Sequence, residues 1–60
     1  MAHVINFIEL VGNLNITVMA NGYPKKDDLI TLEGKPYVVH KVSPDNDKDV
    51  TVIVKPKKYI

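Results

Sequence analysis

The run Leu14-Asn15-Ile16-Thr17-Val18-Met19-Ala20 decides the fold class. Leu14, Ile16, Val18 and Ala20 point one way, and Asn15, Thr17 and Met19 point the other. A period of two is the spacing of a β-strand. Just upstream, Val11-Gly12-Asn13-Leu14 sets Gly-Asn between two strand-like runs. That pair suits a two-residue type II′ hairpin, in which glycine supplies the positive φ of the first central position. The other arm of this hairpin is residues 3–10. There Val4, Ile8 and Leu10 share one face, while Ile5 and Phe7 fall on the other. Apolar residues on both faces predict a strand covered on both sides, by a curled sheet or by a second subunit.

Downstream, Asn21-Gly22-Tyr23-Pro24 breaks the alternation, and Lys25-Lys26-Asp27-Asp28 continues as a charged connection. Residues 21–28 read as the main loop, because Pro24 cannot donate to a ladder. A second hairpin follows, with strands at 29–32 and 36–42 around Glu33-Gly34-Lys35. Tyr37, Val39 and Lys41 form one face of its longer arm; Val38, His40 and Val42 form the other. Residues 43–48 make a turn of the Pro-Asp kind. The last strand, 49–55, sets Val50, Val52 and Val54 against Thr51, Ile53 and Lys55, and Pro56 ends it. No stretch carries a convincing helical period, whereas Val, Ile, Thr and Tyr favour a pleated surface. The expectation is one all-β domain over residues 1–60, with five antiparallel strands near 3–10, 14–20, 29–32, 36–42 and 49–55.

Composition narrows the function. The 60 residues are 45% hydrophobic and 25% charged, as in ordinary globular chains. Eight lysines against seven acids leave a net charge of +1, which argues for neither a strong nucleic-acid binder nor a DNA mimic. The absence of cysteine excludes disulfides, thiol catalysis and cysteine-ligated zinc. Apolar runs fall far short of the roughly 20 residues of a membrane span, and no secretory signal is recognisable. A cytoplasmic protein with no membrane contact is therefore expected. So small a chain buries only about 60% of its unfolded surface, which favours a homo-oligomer or docking onto a larger partner.

Sites of chemistry are sparse. Asp45, Asp47 and Asp49 alternate like the start of a calcium loop, but Val50 stands where glycine is needed and Pro56 where a bidentate glutamate is needed. A solvated turn accounts for them. His3 and His40 lack metal-ligand spacing, and His40, between Val38 and Val42, reads as a partly buried or interfacial histidine. Glu9, Glu33 and the aspartates have no evident pocket in which to act as an acid–base pair. Neither an enzyme nor a cofactor is expected. Lys25, Lys26, Lys55, Lys57 and Lys58, with Tyr23 and Tyr59 nearby, form a candidate nucleic-acid surface. The lack of arginine weighs against it. Protein contact has its own candidates in Phe7, Met19, Tyr23, Tyr59 and Ile60. Phe7, Met19, Tyr59 and Ile60, with Ile5 and Ile53, are apolar residues opposite the best core face or in the tail. The unpaired edges of the first or last strand offer a further route to association.

The run Asp28-Leu-Ile-Thr-Leu-Glu-Gly-Lys-Pro-Tyr-Val-Val-His-Lys-Val42 resembles a recurring pattern of small SH3-like β-barrel proteins. An acidic residue precedes a short apolar strand, Gly34 sits in the turn, and the longer strand carries Tyr37, Val39 and Val42. The likeness spans residues 28–54. Many such short chains are encoded by phages or prophages, and several inhibit host proteins. The resemblance implies a small SH3-like barrel, encoded by a phage or mobile element, that inhibits or modulates a host protein by direct contact. Because such a fold does not fix its function, a nucleic-acid-binding barrel and a structural component of a viral particle are the alternatives.

Overall fold

The computed structural model describes residues 2–57. Five strands form in chain order: β1 (His3–Glu9), β2 (Asn15–Ala20), β3 (Leu29–Leu32), β4 (Lys35–Pro44) and β5 (Asp49–Pro56). Among the described residues there is no helix, and hence none long and apolar enough to cross a membrane. The strands make one sheet of order β2-β1-β5-β4-β3, curled into a half-barrel. The all-β, five-stranded expectation therefore holds, and each strand lies within two residues of its expected bounds.

Two antiparallel hairpins, β1–β2 and β3–β4, flank the sheet, and β5 joins them. The β3–β4 turn follows directly from its residues. Glu33 and Gly34 both have positive φ, at 52° and 78°, between the paired residues Leu32 and Lys35. Positive φ at both central positions defines a type I′ turn, whose twist matches that of the flanking strands. In the β4–β5 turn, the Asn46 side-chain oxygen accepts from the backbone N–H groups of Lys48 and Asp49, both at 2.9 Å. Asp45 accepts from the Thr51 hydroxyl at 2.7 Å. These local bonds make the acidic run a solvated Asx turn.

Four features depart from the sequence reading. First, β1 and β5 are parallel rather than antiparallel, with Ile5 beside Val50 and Phe7 beside Val52. That pairing places the first and last strands at the centre, so the sheet edges are β2 and β3. Second, β1 turns its other face inward. Ile5 and Phe7 are buried, and with Tyr37, Val39, Val50, Val52 and Val54 they make the core. Val4 and Ile8 lie on the outer face and are half-buried, and Leu10, just beyond the strand, is exposed. Phe7 is thus a core residue and not a contact surface. The β5 face is as expected, since Val50, Val52 and Val54 offer a stripe of β-branched side chains that only burial stabilises.

Third, the first hairpin is wider than a Gly-Asn turn. The Glu9 N–H donates to the Leu14 carbonyl at 3.2 Å, leaving residues 10–13 as the loop. The pairing is displaced by two residues, which preserves the face of every side chain because the strand period is two. Fourth, β4 carries a β-bulge between Val39 and Lys41. Tyr37 and Val39 face inward before it, and Val42, paired with Val52, packs against the core after it. An extra residue in one strand switches which parity faces the core. His40 sits at that irregularity and is exposed, not buried against an apolar face.

The buried position of Phe7 is tested by truncation. Phe7→Ala should cost about 3–5 kcal/mol in urea unfolding, a large part of the stability of so small a domain. Met19→Ala, at an exposed position, should stay within about 0.5 kcal/mol. The turn gives an opposite expectation. Glutamate is poorly suited to positive φ, so Glu33→Asn should raise the urea midpoint, by about 0.5–1 kcal/mol of stability.

Candidate functional site

Among the described residues a concavity opens on the outer face, at the end of the sheet where β1 and β5 finish. It is a cleft of ≈ 500 Å³ lined by Leu10, Val11, Val38, Lys55, Pro56 and Lys57. Backbone geometry builds it. The Leu10 N–H donates to the Val54 carbonyl at 2.7 Å, which carries the β1 chain past its last strand residue alongside β5. Val38 pairs with Lys55, so both side chains stand on the same outer face. The Lys57 N–H donates to the Pro36 carbonyl at 3.1 Å and extends the β4–β5 ladder beneath the far wall.

The near wall is the loop of residues 10–13. Gly12 there has φ +143°, and a side chain at that position would meet the Glu9 carboxylate at 2.6–2.8 Å. The backbone conformation therefore favours glycine, while the Glu9 carboxylate, at the end of a flexible side chain, would have to swing aside for any larger residue. The folded-back loop leaves Val11 81% exposed and Leu10 49% exposed at the lip of the cleft. Leu29, paired with Val38 on the neighbouring strand and 59% exposed, extends the apolar surface toward β3. Among the described residues, the charged side chains that line the cleft are Lys55 and Lys57, while the Glu9 carboxylate lies against Gly12 of the near wall.

The sequence-derived residues are dispersed relative to this cleft. Lys55 and Lys57 line it. Lys25 and Lys26 belong instead to the β2–β3 connection, together with Asp27 and Asp28. There the Lys25 N–H donates to the Asp28 carboxylate at 2.9 Å, and the Asp27 N–H donates to the Val39 carbonyl at 2.8 Å. Their charge is therefore offset by two carboxylates of the same turn. Tyr23 packs edge-on against His3, with ring centroids 5.3 Å apart, and is 40% exposed. Met19, 72% exposed, stands on the outer face of β2, paired with Val4. Lys58, Tyr59 and Ile60 lie outside the described residues.

Leu10, Val11, Val38 and Pro56 were not singled out by the sequence as site residues. A signal existed in Leu10-Val11, since two successive apolar residues on an extended chain cannot both face one core. Among the described residues, no three histidine or acidic side chains group as metal ligands would. Comparison with protein-family models, with curated proteins and with solved structures gives no match to this chain.

The loop that walls the cleft is tested at its glycine. Gly12→Ala should destabilise by about 1–3 kcal/mol, the cost of a strained backbone region. Glu9→Ala in the same chain should recover the part due to the carboxylate contact and leave the φ part. Full recovery in the double variant, read from urea midpoints, would show that the φ of residue 12 is unstrained.

Proposed function

We propose that this chain is a small non-enzymatic binding protein that engages another protein directly through the Leu10–Val11–Val38–Pro56 cleft. In the form carried by the sequence resemblance, it is an SH3-like protein of phage or mobile-element origin. It inhibits or modulates a host protein in the host cytoplasm. The observation that supports the reading best is the combination of an apolar cleft with an 81% exposed valine at its lip and two lysines among its lining residues. Small soluble domains do not favour clustered apolar exposure unless something covers it. The matching partner segment presents an apolar side chain to Val11, Val38 and Pro56, with a carboxylate nearby for Lys55 or Lys57.

Nucleic-acid binding is the second reading, favoured by the placement of Lys55 and Lys57 on one surface. Phosphates would take the lysines, but the apolar floor would then be left uncovered. A structural role in a viral particle is distinguished by its stoichiometry, since a particle component is present there in many copies.

Tagged protein incubated with bacterial lysate, with and without nuclease, separates these readings. A single host protein retained after nuclease, and weakened about tenfold or more by Val11→Asp, is the expected result, as for loss of a buried apolar anchor. Retention unchanged by Val11→Asp and by Lys55→Glu/Lys57→Glu would overturn the cleft as the contact. Retention abolished by nuclease would transfer the function to nucleic acid. In that case the double lysine variant should lower the salt dependence of binding by about two phosphate contacts.

A further inference from the structure

A second surface stands apart from the cleft. β2 is an edge strand, bonded to β1 alone among the described residues. Free strand edges are ordinarily blunted by lysines, prolines, bulges or shortness, because they template pairing with another chain. The other edge, β3, follows that rule: it is four residues long, with Asp27 and Asp28 before it and Glu33 and Lys35 after it. β2 does not. It has six residues in unbroken register with β1, no charge and no proline. The uncharged stretch in fact extends over residues 10–24, in a chain that is 25% charged.

The free side of β2 can be assigned residue by residue. Because Glu9 donates to Leu14, the pairs that exchange backbone bonds are Glu9–Leu14, Phe7–Ile16, Ile5–Val18 and His3–Ala20; such pairs alternate along an antiparallel ladder. The N–H and C=O groups of Asn15, Thr17 and Met19 therefore point away from the sheet, into solvent. On the inward face Val18, beside the buried Ile5, is still 38% exposed, so the core is uncovered at this edge.

We propose that β2 pairs antiparallel with β2 of a second copy of this chain, about a two-fold axis through Thr17. In that register Asn15 meets Met19 of the mate and Thr17 meets Thr17, using all three outward-facing residues of each strand. Val18 then lies opposite Ile16 of the mate on the inward face. The two half-barrel sheets become one sheet of ten strands, and the apolar layer runs through the interface. On that two-fold Thr17 faces its own copy, and Ile16 and Val18 lie diagonally from theirs, so a charge at any of these three positions would stand close to a like charge. The uncharged stretch removes that repulsion, which is the feature that selects a second copy over a foreign strand.

Sedimentation equilibrium of the full chain across a concentration series tests the proposal. The expected mass is twice that of one chain, and Val18→Lys should raise the dimer dissociation constant about a hundredfold by burying a charge opposite Ile16. Thr17→Pro should act similarly by removing an outward N–H. If either variant loses its far-ultraviolet β spectrum, the other carries the measurement. The chain has no cysteine, so Thr17→Cys supplies one thiol per copy, and mild oxidation should cross-link it while Asn46→Cys, in the β4–β5 turn, stays uncross-linked. A monomeric native chain would overturn the proposal, as would a folded Val18→Lys chain that remains dimeric. Equal cross-linking at both positions would overturn the register. A monomer whose β2 amides become protected only on binding the protein retained from lysate would assign the edge to a foreign strand instead.

Discussion

The parallel pairing of β1 with β5 is the contact on which the rest of the molecule depends. Without it the β1–β2 hairpin is detached from the three-stranded β3–β4–β5 sheet, and an isolated hairpin is marginally stable at best in water. With it, Ile5 and Phe7 from one end of the chain lie beside Val50 and Val52 from the other, and the core becomes continuous. Parallel strands require a long crossover, and here the crossover is the whole of β2, β3 and β4. The pairing also sets the site. It brings the end of β1 beside the end of β5, and the Leu10–Val54 hydrogen bond that positions the cleft lip continues the same ladder.

A second constraint is the bulge near His40. β4 must contribute to the core along ten residues while the sheet curls around it. A strictly alternating strand would have brought Lys41 to the inward face, following Tyr37 and Val39. One extra residue shifts the parity, so Lys41 goes outward beside Ile53 and Val42 goes inward beside Val52. The bulge thus resolves an apparent conflict in the sequence, where both faces of this strand carry apolar residues. It leaves Val38 on the outer face ahead of the shift, and Val38 is the floor residue that pairs with Lys55 in the cleft.

What was legible in the sequence was local. The alternation of residues 14–20, the Glu33-Gly34 turn, the Asx turn after Pro44 and the inward stripe of Val50, Val52 and Val54 are each decided within a few residues, and each was readable. The inward face of β1 was not, because Val4 and Ile8 compete with Ile5 and Phe7 on nearly equal terms. The choice is made by which pair meets Val50 and Val52, 45 residues further along the chain. The parallel direction of β5, the identity of the edge strands and the position of the bulge are long-range facts of the same kind. The cleft followed from them: Leu10, Val11, Val38 and Pro56 come from three parts of the chain and share no local pattern. Of the lysines chosen from sequence, Lys55 and Lys57 reached the cleft because they end the strand that lines it, while Lys25 and Lys26 went to a turn stabilised by its own aspartates.

The cleft and the β2 edge use different residues, and their geometry relates them. Antiparallel pairing about an axis normal to the sheet keeps the outer faces of both copies on one side and reverses the strand direction. The two clefts of such a dimer lie on the same face, near opposite ends of the strands. A partner that is itself dimeric, or that repeats the recognised segment, can then engage both at once, and the second contact becomes intramolecular. Avidity of that kind exceeds the affinity of either cleft by about 10²–10⁴ when the spacing matches. For a 60-residue chain with an apolar cleft on its outer face, edge pairing would thus join two needs. In the proposed dimer it would cover the apolar layer left open at Val18, and it would let weak single contacts add up to a stable complex.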